Sequence, residues 1–325
     1  MDNLIYHLAR VCIRGIQFPS LEIVARLGRA LGWLAFYLDG RHRRVAIQNL
    51  GRTWGSRWGE GRIRAIAHEN FCRLGENYCC AIKTASMSAS ELKPHLEWVG
   101  TENLNGVSEG TGNGSKVFAI GHFGNFELYA RTDLWGVGKR TATTYRGLRQ
   151  PGLDRLMRDL RERSGCLFFE RRKDAEGLKK AMSSGGIYLG LLADQHAGDN
   201  GLWLPFFGVH CSTSAAPALF ALRYHCPLHS AICYRVGLAR WRIEFGPEIP
   251  TEVGGVRRSE LEIMMDVNRT FELAIERDPA NWFWVHKRWK PQKVRGSKPV
   301  APSTQEPPPQ IPGSSDPDDR PAVVS

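Results

Sequence analysis

The sequence predicts an α/β protein with a mostly parallel central sheet flanked by helices, preceded by N-terminal amphipathic, membrane-anchoring helices. Three observations predict it. From about Leu96 onward, short apolar runs alternate with helical patterns, as in a largely parallel sheet. Three of those runs end in polar residues, at His122, at Tyr145-Arg146 and at Asp194-Gln195. Before Leu96 the apolar periodicity is helical, and it turns apolar all round between residues 31 and 38.

With 325 residues, 42% apolar and 10% aromatic, the chain can bury the core of one large domain or two smaller ones. The net charge of +11 calls for an anionic partner: nucleic acid, an anionic membrane face or an acidic carrier protein. No nucleic-acid motif accompanies that charge and the arginines are dispersed, so nucleic acid is not the expected partner. The eight cysteines contain no C-x-x-C pair, which argues against a zinc ribbon or redox motif. Scattered thiols fit a reducing compartment, and each is read as a buried apolar filler. His7, Arg10 and Arg14 interrupt the early apolar stretch, so no secretory leader is expected.

Residues 4–17 predict an amphipathic helix with Ile5, Leu8, Ala9, Cys12, Ile13 and Ile16 on one face. Ser20 is placed to cap a second helix over 21–38, whose charges Glu22, Arg26 and Arg29 share one face. Eighteen residues span about 27 Å, near the minimum for a bilayer, but three charges in the first half favour an interfacial or half-inserted anchor over a clean span. Arg41, Arg43 and Arg44 follow as a basic collar. The alternative is two ordinary helices covering a core. Residues 60–83 predict a further helix, with Trp54 and Trp58 before it as packing residues or interfacial anchors.

In the α/β region, strands are expected over 117–120, 140–145, 166–169, 187–192, 228–234 and 241–245. Helices are expected over 153–164, from Asp174 to about Ser183, from Ser212 or Ser214 to about Tyr224, and over 259–277. Residues 105–115 read as a loop. The organisation expected is N-terminal helices over 1–45, an α/β domain over 46–291 and a disordered Pro/Ser-rich tail over 292–325.

The strand over 117–120 breaks on Gly121 and Gly124 and is expected to resume as a helix from Asn125. This puts His122 at a strand end and Glu127 in the first turn of a helix, where the dipole favours the ionised carboxylate. Glu127 is then expected to orient His122 as a general base. Backbone N–H groups near Gly124 and Asn125 are candidates for stabilising an oxyanion. Open α/β sheets bind ligands at the carboxyl ends of their strands, so His122, Arg146, Asp194 and Gln195 should converge. Asp194 and Gln195 either contact substrate or brace the His122 loop. Trp203 and Phe206-Phe207 either line a channel or belong to the core. Trp282, Trp284 and Trp289, beside Lys287, Arg288 and Lys290, are placed to face a bilayer, and His286 is read as structural. The one G-x-S-x-G, Gly106-Val-Ser108-Glu-Gly110, falls in the stretch read as a loop and not in a strand-to-helix elbow, so it gives a serine nucleophile no support.

Gly121-His122-Phe-Gly-Asn-Phe-Glu127 resembles the first block of the lysophospholipid acyltransferase superfamily, and in detail its bacterial lipid A biosynthesis branch of lauroyl and myristoyl transferases. Tyr145-Arg146 with Pro151 resembles that branch's second block, although Arg146-Gly-Leu-Arg149-Gln150-Pro151 stands where the family carries an Asn-Pro pair. Asp194-Gln195 with Leu204-Pro205-Phe-Phe-Gly208 resembles the third. The run from Asn281 to Lys290 and the basic stretch from Arg41 to Asn49 resemble the family's C-terminal and N-terminal patterns. The resemblance implies a glycerolipid acyltransferase-like fold on the cytoplasmic face of the bacterial inner membrane, peripheral or held by one N-terminal anchor. It implies transfer of a fatty acyl group from an acyl carrier protein or coenzyme A thioester to a lipid hydroxyl, on a lipid A precursor or a related glycolipid. The catalytic pair would be His122 and Glu127, with no metal or resident cofactor. Arg146, Asp194, Gln195 and Asn125 would bind substrate, Arg146 by matching its fork to a phosphate.

Overall fold

The computed structural model describes residues 2–105, 113–131, 134, 140–148, 150–162 and 164–292. All but the first residue of the expected tail, most of the 105–115 loop and Arg149 lie outside the described residues.

The chain opens with α1 (Asp2–Gln17), α2 (Leu21–Leu38), α3 (Gly40–Trp54) and α4 (Glu60–Thr84). Ser20 caps α2 as expected, its hydroxyl accepting the Ile23 N–H at 3.4 Å. α3 was legible only as a basic segment; the Asp39 carboxylate starts it by accepting the His42 N–H at 3.0 Å. The expected boundary at residue 45 therefore falls inside a helix. α2 lies directly along α4 because glycines face each other there: a Cβ on Gly28 would sit 2.6 Å from the Gly75 carbonyl oxygen. Arg29 crosses that seam to Glu69 at 2.8 Å and to the fully buried Glu76 at 3.4 Å. Arg235 and the Ala239 N–H satisfy the rest of Glu76. Phe36, Ala46 and Leu50 join the same core as Val117 and Phe123, so the N-terminal helices are packed onto the α/β region.

A second stripe of α2 stays uncovered: Ile23, Leu27, Leu31, Leu34 and Leu38, at helical spacing, are 44–75% exposed. Among the described residues, no helix is long and apolar enough to cross a membrane.

After α5 (Ala89–Leu92), the sheet is built from β1 (Leu96–Val99), β2 (Lys116–Ile120), β3 (Arg140–Tyr145), β4 (Leu167–Glu170) and β5 (Ile187–Leu192), with α6 (Pro151–Glu162) and α7 (Ala175–Ser184) as crossovers. A hairpin, β6 (Leu202–Phe206) and β7 (Val209–Thr213), precedes α8 (Ala216–Tyr224). Then come β8 (Leu228–Gly237), β9 (Arg240–Phe245), the small hairpin β10 (Glu252–Val253) and β11 (Val256–Arg257), and α9 (Glu260–Arg277), which opens on a Ser259–Glu262 capping box. The main sheet has the order β1-β9-β8-β2-β5-β3-β4. All its pairs are parallel except β8–β9, so the predicted mostly parallel sheet flanked by helices is what forms. β2 is central, and its neighbours β5 and then β3 run the same way. The carboxyl ends at Ile120, Leu192 and Tyr145 therefore open onto one edge.

Several expectations are corrected. The segment after His122 is a 3-10 helix over Phe126–Ala130 rather than an α-helix. Ala215, not Ser212 or Ser214, stands at the start of α8, because Ser212 is a fully buried residue of β7. Trp282, Trp284 and Trp289 do not face a bilayer; they are 1%, 0% and 8% exposed and form an aromatic core with Trp54 and Phe206. The same burial removes Phe206 from any channel wall and makes Trp54 a packing residue, stacked on Trp58. Cys12 is exposed, unlike the buried Cys72, Cys80, Cys211, Cys226 and Cys233.

Candidate active site

His122 follows β2 directly, and the turn that carries it depends on two glycines. Gly124 has φ +49°, and a Cβ there would sit 2.6 Å from the Cys233 carbonyl. A Cβ on Gly121 would meet the Phe123 ring at 2.6 Å and the Asp194 Cβ at 3.2 Å. Without a side chain at 121, the end of β5 can approach the end of β2. That approach brings Asp194 to His122.

The Asp194 carboxylate is fully buried and accepts three hydrogen bonds. His122 Nδ1–H donates to Oδ1 at 2.8 Å, the His122 backbone N–H to Oδ2 at 2.9 Å, and Trp282 Nε1–H to Oδ2 at 2.8 Å. Burial pushes the Asp194 carboxyl up, but the His122 charge and these donors outweigh it and hold it below the ordinary range. An ionised carboxylate only accepts, so in the neutral imidazole the proton sits on Nδ1 and the lone pair on Nε2. The ring is 17% exposed and wedged against Phe126 and Phe283, with centroids 4.8 and 5.7 Å away. A carboxylate-held imidazole with a free Nε2 is the geometry of a general base.

The carboxylate predicted to hold His122 does something else. Glu127 is engaged by Arg161 of α6, whose Nη2 and Nε donate to its two oxygens at 2.6 and 3.1 Å. The 3-10 turn directs Glu127 toward α6, and the bidentate guanidinium fixes it there. Asp194, not Glu127, is therefore the carboxylate hydrogen-bonded to His122. Glu127 and Arg161 remain beside His122, since all three line both cavities described next.

A cavity of about 250 Å³ runs between α4 and α6, walled by Leu74, Tyr78, Ala81, Met157 and Leu160, and His122 also lines it. A larger cleft of about 730 Å³ lies over the strand ends and also reaches His122. Arg146, Tyr145 and Gln195 line the cleft, as their strand-end positions predict. Asn125 lines the smaller cavity instead; it is 1% exposed and neither atom of its side-chain amide has a hydrogen-bond partner. Gly124 is unavailable as an oxyanion donor because its N–H donates to the Asn281 carbonyl at 3.1 Å. His286 is more than a remote structural residue: it lines the cleft, and its Nε2 accepts the His196 N–H at 3.1 Å. Burial holds it neutral, with its pKa down at about 4.

Sequence reasoning missed Arg161, Tyr78, Phe283 and Arg171. No spacing flags the first three, which come from α6, α4 and the C-terminal segment and meet only in the fold. Arg171 carried a signal, one residue beyond a strand end, but sat in a run of charges that reads as a solvated loop.

The family model for bacterial lipid A biosynthesis acyltransferases matches residues 3–291. Curated relatives include a lipid A biosynthesis palmitoleoyltransferase of Escherichia coli strain K12 and a lipid A biosynthesis acyltransferase of Shigella flexneri. Each is 24% identical over 283 residues, covering 86% of this chain and 88% of the relative.

Proposed function

The chain belongs to the bacterial lipid A biosynthesis acyltransferase family and is an acyltransferase, and from that premise we propose that it moves a fatty acyl chain from a thioester of acyl carrier protein or coenzyme A to a hydroxyl of a lipid A precursor or related glycolipid. The observation that carries this reading is the position of the His122–Asp194 pair, where an apolar cavity meets a basic cleft. An acyl chain suits the apolar cavity and polar, anionic substrate parts suit the cleft, so the thioester carbonyl and the hydroxyl meet at the imidazole.

In the reaction, His122 Nε2 takes the hydroxyl proton as the oxygen attacks the thioester carbonyl carbon. Asp194 stabilises the imidazolium that forms. The tetrahedral oxyanion accepts a hydrogen bond from Asn125, whose buried amide otherwise lacks a partner. Collapse breaks the C–S bond, and the imidazolium returns its proton to the leaving thiolate. The steps need no enzyme nucleophile and no resident cofactor. Glu127 holds Arg161 at the junction of the two cavities, where the guanidinium orders the wall around the reacting groups.

The exposed α2 stripe, with Trp33 and Tyr37 at 49% and 51% exposure, is suited to lie in a lipid interface, and the +11 charge favours an anionic leaflet such as the cytoplasmic face of an inner membrane. The test is direct. The purified protein, given an acyl thioester and a lipid A precursor, should yield acylated lipid by mass spectrometry, and His122→Ala should yield none while keeping its fold. Undiminished transfer by that variant would remove His122 from the reaction.

A further inference from the structure

α4 runs for 25 residues, and Asn77 stands in its interior, where asparagine is a poor helix former because its amide competes for the backbone. Two other polar residues of this helix have evident structural partners. Asn70 donates to the Ala280 and Trp282 carbonyls at 2.9 and 2.6 Å. The Glu76 carboxylate is met by Arg29, Arg235 and the Ala239 N–H. Nothing comparable meets the Asn77 carbonyl oxygen. Asn77 is 6% exposed, its Oδ1 has no hydrogen-bond partner among the described residues, and it lines the apolar cavity between α4 and α6.

The other polar groups of that cavity wall are satisfied. The Thr84 hydroxyl donates to the Ala81 carbonyl at 3.3 Å, and the Ser164 hydroxyl to the Arg161 carbonyl at 2.7 Å. Arg131 donates to the Thr84 and Met87 carbonyls at 2.6 and 3.0 Å. Glu127 and Arg161 hold each other, and Tyr78 is half-exposed to solvent. Asn125 is the second unpaired amide, and the reaction above gives it the oxyanion. Asn77 has no part in that reaction. A buried amide left unpaired costs stability, whereas an apolar side chain of the same shape does not. That cost is offset when a ligand in the cavity supplies the missing partner.

We propose that Asn77 reads a hydroxyl on the acyl chain, so that the preferred donor is a hydroxyacyl thioester rather than an unsubstituted one. The inference rests on the reading that the apolar cavity takes the acyl chain, and it names the class of chain. A hydroxyl suits an amide because each both donates and accepts. An unsubstituted chain lays methylenes against Asn77 and leaves its oxygen unpaired, which penalises that chain. The level of Asn77 on α4 places the hydroxyl. Tyr78 is the one described residue of α4 that lines both cavities, so the junction where the thioester meets His122 lies at its level. Asn77 is about 1.5 Å from Tyr78 along the helix axis, whereas Thr84 and Ala85 line the cavity about two turns further on. The hydroxyl is therefore close to the thioester and not at the tail of the chain.

Dodecanoyl, α-hydroxydodecanoyl, β-hydroxydodecanoyl and ω-hydroxydodecanoyl thioesters, carried on acyl carrier protein and separately on coenzyme A, compete for the full-length protein with a lipid A precursor as acceptor. Mass spectrometry of the product reads the choice. The wild-type protein should prefer the α- or the β-hydroxy chain over the plain one by about 10- to 100-fold, and should show no preference for the ω-hydroxy chain. Asn77→Leu should remove the preference. The same variant should raise the urea midpoint of the ligand-free protein, because it takes an unpaired amide out of the cavity wall; a merely structural amide would give the opposite shift. Calorimetric titration of the free fatty acids needs neither turnover nor a folded variant: wild-type protein should bind the preferred hydroxy acid at least about tenfold more tightly than dodecanoate. Equal use of plain and hydroxylated chains by the wild-type protein would overturn the inference while leaving acyl transfer intact, as would a preference that persists in Asn77→Leu. If no thioester is used, the proposed reaction fails and the titration decides alone. Tighter binding of the hydroxy acid then supports the role of Asn77, and equal binding or none overturns it.

Discussion

Replacing Asp194 by Asn exchanges one carboxylate oxygen for an NH2 at the most constrained point of the site. Two donors converge on Oδ2, the His122 backbone N–H at 2.9 Å and Trp282 Nε1–H at 2.8 Å, so the new amide must place its oxygen there. The NH2 then faces His122 Nδ1, which can satisfy it only by giving up its own proton. The imidazole moves to the Nε2–H tautomer and loses the lone pair that receives the hydroxyl proton. The imidazolium also loses its buried counter-charge. The same exchange in serine protease triads costs about 10⁴-fold in kcat, and general-base catalysis is worth about 10²–10⁴-fold, so a loss near the top of that range is expected, on the order of 5 kcal/mol of barrier. KM should change little, because Asp194 lies behind His122 and lines neither cavity. The assay is steady-state transfer from a labelled acyl thioester, with near-UV circular dichroism to confirm native packing. Glu127→Gln, which keeps one of two bonds to Arg161, should cost about 10- to 100-fold. An Asp194→Asn protein that retains a tenth or more of wild-type kcat would refute the assignment of Asp194 as the partner of His122.

Other consequences can be measured independently. Ala81→Phe places a ring in the wall of the apolar cavity and should shift the preferred donor to a shorter acyl chain in a competition assay. Leu27 and Leu31 are 56% and 58% exposed; converting both to Ser should weaken partitioning onto anionic vesicles about 30-fold, at roughly 1 kcal/mol per half-buried leucine, as read by co-sedimentation. His286 has its pKa lowered from 6.5 to about 4 in the folded state, so between those values the unfolded chain binds the extra proton and stability falls as pH falls. The full window is worth about 3 kcal/mol, and His286→Gln should flatten that part of the stability–pH curve obtained by urea denaturation. Asp194, whose pKa is lowered, adds a loss of stability at still lower pH, as that carboxylate is protonated in the folded state.

Much of this molecule is legible in its sequence, and the legible part has a common character. The span of α2, the Ser20 cap, the parallel strands and the polar ends at His122, Arg146 and Asp194 are written in local periodicity and turn residues. So is the family resemblance, because its motifs are short and contiguous. From parallel strands, the convergence of three strand ends followed without knowing the strand order.

The tertiary structure alone decided which carboxylate meets His122. Sequence spacing ranked Glu127 first, five residues away along the chain, whereas Asp194 is 72 residues away and arrives through the β2–β5 pairing and the absence of a side chain at Gly121. Tertiary packing also buried the tryptophans of the C-terminal motif, turned Trp282 onto Asp194 and set Arg171 beside Arg146. These contacts join residues far apart in sequence, and local chain chemistry does not constrain them. They depend on strand order and register, which are settled when the whole core packs.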